Sequence, residues 1–135
     1  MIILGVDYGY VRTGLAVCDK NEILASPIGT IKETYMPKVA DKVAEEAKAR
    51  DAELVVVGLP LNMDGSRGEH ADASEELAAM LRERGLNVEL YDERLTTVEA
   101  YNLLSESGTF GKKRRDVVDT VSATIILEDY IKSKK

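Results

Sequence analysis

Three carboxylates stand where this chain could assemble a cation site. Asp7 ends the apolar run Ile2-Ile3-Leu4-Gly5-Val6. Glu93 follows the short apolar stretch Val88 to Tyr91, inside Asp92-Glu93-Arg94. Asp119 lies near the start of the last helical stretch. Hard divalent cations such as Mg²⁺ take oxygen ligands, often one or two carboxylates together with substrate phosphate and water. Two such ions about 3.5–4 Å apart stabilise both the attacking and the leaving oxygen in phosphodiester cleavage. Acids from three separate elements suit a pair of ions if the fold brings them together. Singly, each has a plainer explanation. Asp7 before Tyr8-Gly9 is a turn composition, Glu93 sits in a charged run of the solvated kind, and Asp119 is an acid favoured by a helix dipole.

The cationic residues divide in the same way. Lys112-Lys113-Arg114-Arg115 is the one dense basic run, either a clamp on a phosphate backbone or a solubilising loop. Arg12 and Arg94 can hold a phosphate through both guanidinium nitrogens, or pair with nearby acids. Asn62, Ser66 and Arg67 follow a strand, where substrate contacts gather and where turn chemistry is equally at home. His70 has no histidine or cysteine near it in sequence and reads as a surface residue at a helix start, not a zinc ligand. Phe110, the only phenylalanine, either stacks on a base or tucks its loop onto the body.

Elements that could position these residues are legible from periodicity. Residues 2–7 read as a strand buried on both faces. A short turn through Gly9 leads to a second strand, 13–19, antiparallel to the first. A third strand, 23–31, carries Pro27 and Gly29 and so reads as an edge strand or a bulge. Pro37 opens a helix to Arg50, with Val39, Val43 and Ala47 on one face. Leu54 to Gly58 is a fourth, fully buried strand. After a loop from Leu59 to Glu69, a helix covers 71–84, with Gly85 as its stop. Val88 to Tyr91 is the fifth strand. Thr96-Thr97-Val98-Glu99 fits a capping box for a third helix. Ser105 to Arg115 reads as a loop, and Asp116 as the cap of the last helix. Three meandering strands followed by strand–helix alternation predict an α/β fold: a five-strand mixed sheet with helices on both faces.

Composition sets the limits. A chain of 135 residues is expected to form a single domain, 1–135, with one substantial core. No apolar run is long enough to span a bilayer, and the start of the chain does not read as a signal peptide. The lone cysteine, Cys18, cannot make an intrachain disulfide and reads as a small core residue of a cytoplasmic protein. The net charge of −6 alone argues mildly against nucleic acid. The local basic run and the capacity of clustered acids to bind cations argue the other way.

Four stretches together resemble the YqgF (RuvX) family of the ribonuclease H-like superfamily. They are Gly5-Val6-Asp7-Tyr8-Gly9 through Arg12-Thr13-Gly14; Val57-Gly58-Leu59-Pro60 through Asn62 and Gly65; Asp92-Glu93-Arg94-Leu95-Thr96-Thr97; and Val118 to Ala123 running into Ile125-Ile126-Leu127. The resemblance implies a ribonuclease H-like fold and a nuclease using Mg²⁺ or Mn²⁺, with two ions, and places the family's acids on Asp7, Glu93 and Asp119. Members are described as nucleases that process the 5′ end of pre-16S ribosomal RNA in the cytoplasm, and also as Holliday junction resolvases. The implied partner is therefore a structured rRNA precursor or a four-way DNA junction, with no membrane, and the protein is a monomer or a homodimer. Arg12, Asn62, Arg94 and Lys112 to Arg115 would hold the nucleic acid, and Asp116 is the nearest candidate for a fourth acid. Two further readings stand beside these: an actin-like ATPase, suggested by the Asp7–Gly14 turn but normally built from two such domains, and a non-catalytic ribosome-assembly factor.

Overall fold

The computed structural model describes residues 1–22, 24–62, 64–92 and 111–134, with side chains for all of these except 111–120. Its elements run β1 (Ile3–Asp7), β2 (Arg12–Cys18), β3 (Ala25–Lys32), α1 (Met36–Ala49), β4 (Leu54–Leu59), α2 (Glu69–Glu83), β5 (Val88–Asp92) and α3 (Gly111–Lys134). The sheet order is β3-β2-β1-β4-β5. β1 pairs antiparallel with β2 and parallel with β4, and β5 is parallel to β4. This is the mixed five-strand sheet that the apolar periodicity predicts. The edge strand β3 carries the expected irregularity: Leu15 faces Gly29 and Ala16 faces Pro27, so Ile28 is the extra residue of a bulge.

Alternation along β1 assigns each helix to a face. Leu4 and Val6 pack with Val55 and Val57 of β4 against Val39, Val43 and Ala47 of α1 and Leu77, Ala78 and Leu81 of α2. Ile3 packs with Ala16, Cys18, Leu54 and Val56 against Ala123, Ile126, Leu127, Tyr130 and Ile131 of α3. α1 and α2 therefore cover one face and α3 the other. Cys18 is core, as expected. The Ile3 amide donates to its Sγ at 3.3 Å, and burial pushes the thiol above its ordinary range.

The last helix differs from the sequence reading. Gly111 is already helical, so Lys112 to Arg115 lie in helix and not in a loop, and Asp116 is inside the helix and not at its cap. Lysine and arginine are good helix formers, which explains why the run is accommodated within a helix. The predicted helix from Thr96 lies outside the described residues. Among the described residues, no helix is long and apolar enough to cross a membrane.

Ser74 gives a stability test. It is buried in α2 between the helix and the sheet, and its hydroxyl has no hydrogen-bond partner among the described residues. An unpaired buried hydroxyl costs free energy, and alanine is the better helix former. Ser74→Ala is expected to raise the unfolding free energy by about 1 kcal/mol, read as a higher urea midpoint with an unchanged slope. A lower midpoint would refute the assignment.

Candidate functional site

Asp7 is the final residue of β1 and is paired in register with Gly14 of β2. Ile3 and Gly5 precede it at two-residue intervals on the face that α3 covers. The contact at Gly5 is close: a Cβ there would stand 3.0 Å from the Ala123 carbonyl oxygen and 3.0 Å from the Leu127 Cβ. The direction of α3 follows from its other end. The Tyr130 hydroxyl donates to the Glu89 carboxylate near the start of β5, and Lys134 pairs at 3.1 Å with Glu22, in the β2–β3 connection. Both lie at the end of the sheet opposite Asp7, so α3 runs antiparallel to β1 and its earlier turns point toward the C-terminal end of β1. Residue 119 is one helical turn before Ala123. The Asp119 side chain, Glu93 and Arg94 lie outside the described residues, as does Phe110.

β4 and β5 both reach the level of Asp7. Val6 is in register with Val57, Gly58 with Tyr91, and Leu59 with Asp92. On β5 the residues facing α3 are Glu89 and Tyr91, which meet Tyr130. Asp92 has the opposite parity. The donor chemistry here fits a hard cation. Asp7 offers carboxylate oxygens, Cys18 lies at the far end of β2, and the His70 ring nitrogen Nε2 is already engaged. Among the described residues, no group of three histidines, cysteines or acids is placed to hold a metal ion, a statement that leaves out Glu93 and the Asp119 carboxylate.

The turn after β1 is built from backbone and rings. A Cβ on Gly9 would collide with the Arg12 carbonyl oxygen, so glycine lets the chain reverse there and brings Arg12 to the start of β2, at the same sheet end as Asp7. His70 differs from its sequence reading as a surface residue. It is half-buried, the second residue of α2, and its Nε2–H donates to the Tyr8 carbonyl at 2.6 Å, tying α2 to this turn. The carbonyl can only accept, so the proton is on Nε2. Burial, with Tyr10 and Glu76 nearby, raises the Tyr8 phenol above its ordinary value and keeps it protonated at neutral pH. The Tyr8–Tyr10–His70 cluster was not legible as a unit, because three strands and a helix separate Tyr10 from His70 in the chain.

The β4–α2 loop is largely self-contained. Asn62 Nδ2 donates to the Ser66 hydroxyl at 2.9 Å, the Asn62 amide donates to the Ser66 carbonyl at 2.9 Å, and the Ser66 amide donates to Asp64 at 2.9 Å. Asn62 therefore shapes the loop. Arg67 pairs with Asp72 at 3.4 Å and Glu75 at 2.6 Å, which is the ion-pairing explanation rather than a phosphate contact.

A family model described as "RuvX: Holliday junction resolvase" matches residues 1–133. A protein of Endomicrobium trichonymphae named "Putative pre-16S rRNA nuclease" is 40% identical over 131 residues, covering 96% of this chain and 94% of the relative. One of the same name from Lachnospira eligens is 40% identical over 139 residues, covering 100% and 99%. Among solved structures, Thermus thermophilus RuvC is similar with a TM-score of 0.57 at 16% identity, covering 99% of this chain and 96% of that one. The fowlpox virus Holliday junction resolvase has a TM-score of 0.59 at 12% identity, with 100% of both chains covered. These structural likenesses speak to the fold, which is ribonuclease H-like.

Proposed function

The chain belongs to the RuvX family, and on that premise we propose that residues 1–135 act as one cytoplasmic nuclease domain that hydrolyses phosphodiester bonds at the 5′ end of pre-16S rRNA. The observation that carries the site assignment is the position of Asp7 at the C-terminal end of β1, on the face toward which the early turns of α3 are directed. Residue 119 is one turn before Ala123. The α3-facing positions of β5, Glu89 and Tyr91, form a series whose next number is 93. This arithmetic supports Asp7, Glu93 and Asp119 as one oxygen-donor set.

Those three carboxylates would hold Mg²⁺ or Mn²⁺, which when bound supplies charge neutralisation at the scissile phosphate and an activated water. The protein's own part is to fix the acids on rigid elements and to orient the nucleic acid. Arg12, Arg94 and Lys112 to Arg115 would bind the phosphates, and Asn62 would contribute by shaping the loop after β4. The basic run is carried on α3 itself, a regular element on which closely spaced cations suit a polyanion.

The description of the matching family favours a second reading, cleavage of four-way DNA junctions. A resolvase must cut two strands symmetrically and so should act as a dimer. The deciding experiment offers a precursor rRNA 5′-end fragment and a four-way junction side by side, with Mg²⁺ and with Mn²⁺, and measures the mass of the protein at working concentration. Cleavage of the rRNA fragment alone is expected. Paired nicks in the junction by a dimer would replace the RNA reading with the resolvase reading. Binding without cleavage of either would leave a ribosome-assembly factor.

A further inference from the structure

Three rings converge at the turn that follows Asp7. Tyr10 lies 5.0 Å from His70 with the rings tilted by 30°, and Tyr8 meets both edge-on, at 5.9 Å from Tyr10 and 6.1 Å from His70. Tyr8 is 4% exposed, whereas Tyr10 is 51% exposed. His70 is fixed in turn by its hydrogen bond to the Tyr8 carbonyl. An exposed tyrosine in a glycine turn would ordinarily sample several rotamers. Here one is backed by a ring that α2 holds in place.

We propose that Tyr10 is a stacking platform for an unpaired nucleobase of the substrate, one or two nucleotides from the scissile phosphate. The proposal rests on the nuclease reading and adds to it a substrate feature, a single-stranded nucleotide next to the cut. Three observations carry it. Tyr10 is three residues from Asp7, at most roughly 11 Å from it between Cα atoms. Its ring is pre-oriented by His70, so little rotamer freedom is lost when a base stacks. Arg12 follows two residues later, at the start of β2, and the adjoining exposed side chain is Val11, 53% exposed, one apolar residue and not an extended patch. An exposed ring with an arginine two residues on in the chain offers the pairing that single-stranded nucleic acid uses, base on ring and phosphate on cation.

The test uses the full chain with EDTA present, so that binding is read without cleavage. Single-stranded RNA oligonucleotides carry 2-aminopurine at successive positions, and matched oligonucleotides carry an abasic site at the same positions. Wild type is expected to quench the fluorophore at one or two positions, and Tyr10→Phe to quench it there equally. Tyr10→Ala should lose the quench and bind about 10-fold more weakly. The abasic oligonucleotide should bind wild type about as weakly as Tyr10→Ala binds the intact one, with no further loss when the two changes are combined. Absence of quench in wild type, equal quench in Tyr10→Ala, or fully additive losses would each overturn the platform. Cleavage assays of the same proteins with Mg²⁺ or Mn²⁺ separate the two levels. Wild-type cleavage with a Tyr10-independent quench removes the platform and keeps the nuclease; a Tyr10-dependent quench without any cleavage does the reverse.

Discussion

Asp7→Asn is expected to abolish metal-dependent cleavage while leaving the protein folded. Asparagine has the same shape, and the backbone pairing of position 7 with Gly14 does not involve the side chain. What changes is charge and ligand strength. A hard cation binds a neutral amide oxygen far more weakly than a carboxylate, and a site that works by neutralising phosphate charge loses its anchor. The expected loss in rate is at least about 10³-fold, roughly 4 kcal/mol of transition-state stabilisation. Initial rates at saturating Mg²⁺ and at saturating Mn²⁺ read the effect, with thermal unfolding as the control for the fold. A variant that cleaves within about tenfold of wild type would remove Asp7 from the reaction, and with it the three-carboxylate site.

The sheet was legible because its strands are short apolar runs ended by turn residues. Leu54 to Gly58 is β-branched at three successive positions, and the structure buries it on both sides. Pro27 and Gly29 announced the bulge in β3. The start of α3 was misread for an electrostatic reason. Acids are favoured at helix N-termini and bases are not, so Asp116 looked like the cap and Lys112 to Arg115 looked like loop. Gly111 to Asp116 are helical all the same, because lysine and arginine are good helix formers wherever they fall within a helix. At the site, Asp7 was visible as the one acid closing a buried strand. The role of His70 was not, because a hydrogen bond to a carbonyl 62 positions away leaves no local pattern. Asn62 and Arg67 were visible as polar loop residues, but residue type does not distinguish a side chain that binds substrate from one that holds its own loop.

Gly5→Val carries the largest expected effect on the fold, and it tests how the site is assembled. At position 5, β1 and α3 lie in close contact. Even a methyl group would press on the Ala123 carbonyl oxygen and the Leu127 Cβ at 3.0 Å, and one of these is helix backbone, which cannot rotate away. Valine adds two more carbons to a face on which Ala123, Ile126 and Leu127 are already fully buried, so α3 must lift. Overpacking of this kind costs about 3 kcal/mol or more, measured as a lower urea midpoint. Gly5→Ala should cost less, about 1–2 kcal/mol, and is the more telling variant because it remains folded. Under the proposed site, α3 carries Asp119 one turn before Ala123, so a shift of this helix moves one carboxylate relative to another. A displacement near 1 Å can cost about a hundredfold in rate. Gly5→Ala should therefore lose far more activity than stability, measured at a temperature where more than nine-tenths of it is folded. Equal activity in a destabilised Gly5→Ala would mean that the packing of α3 on β1 supports the core alone, and that the reacting groups do not depend on it.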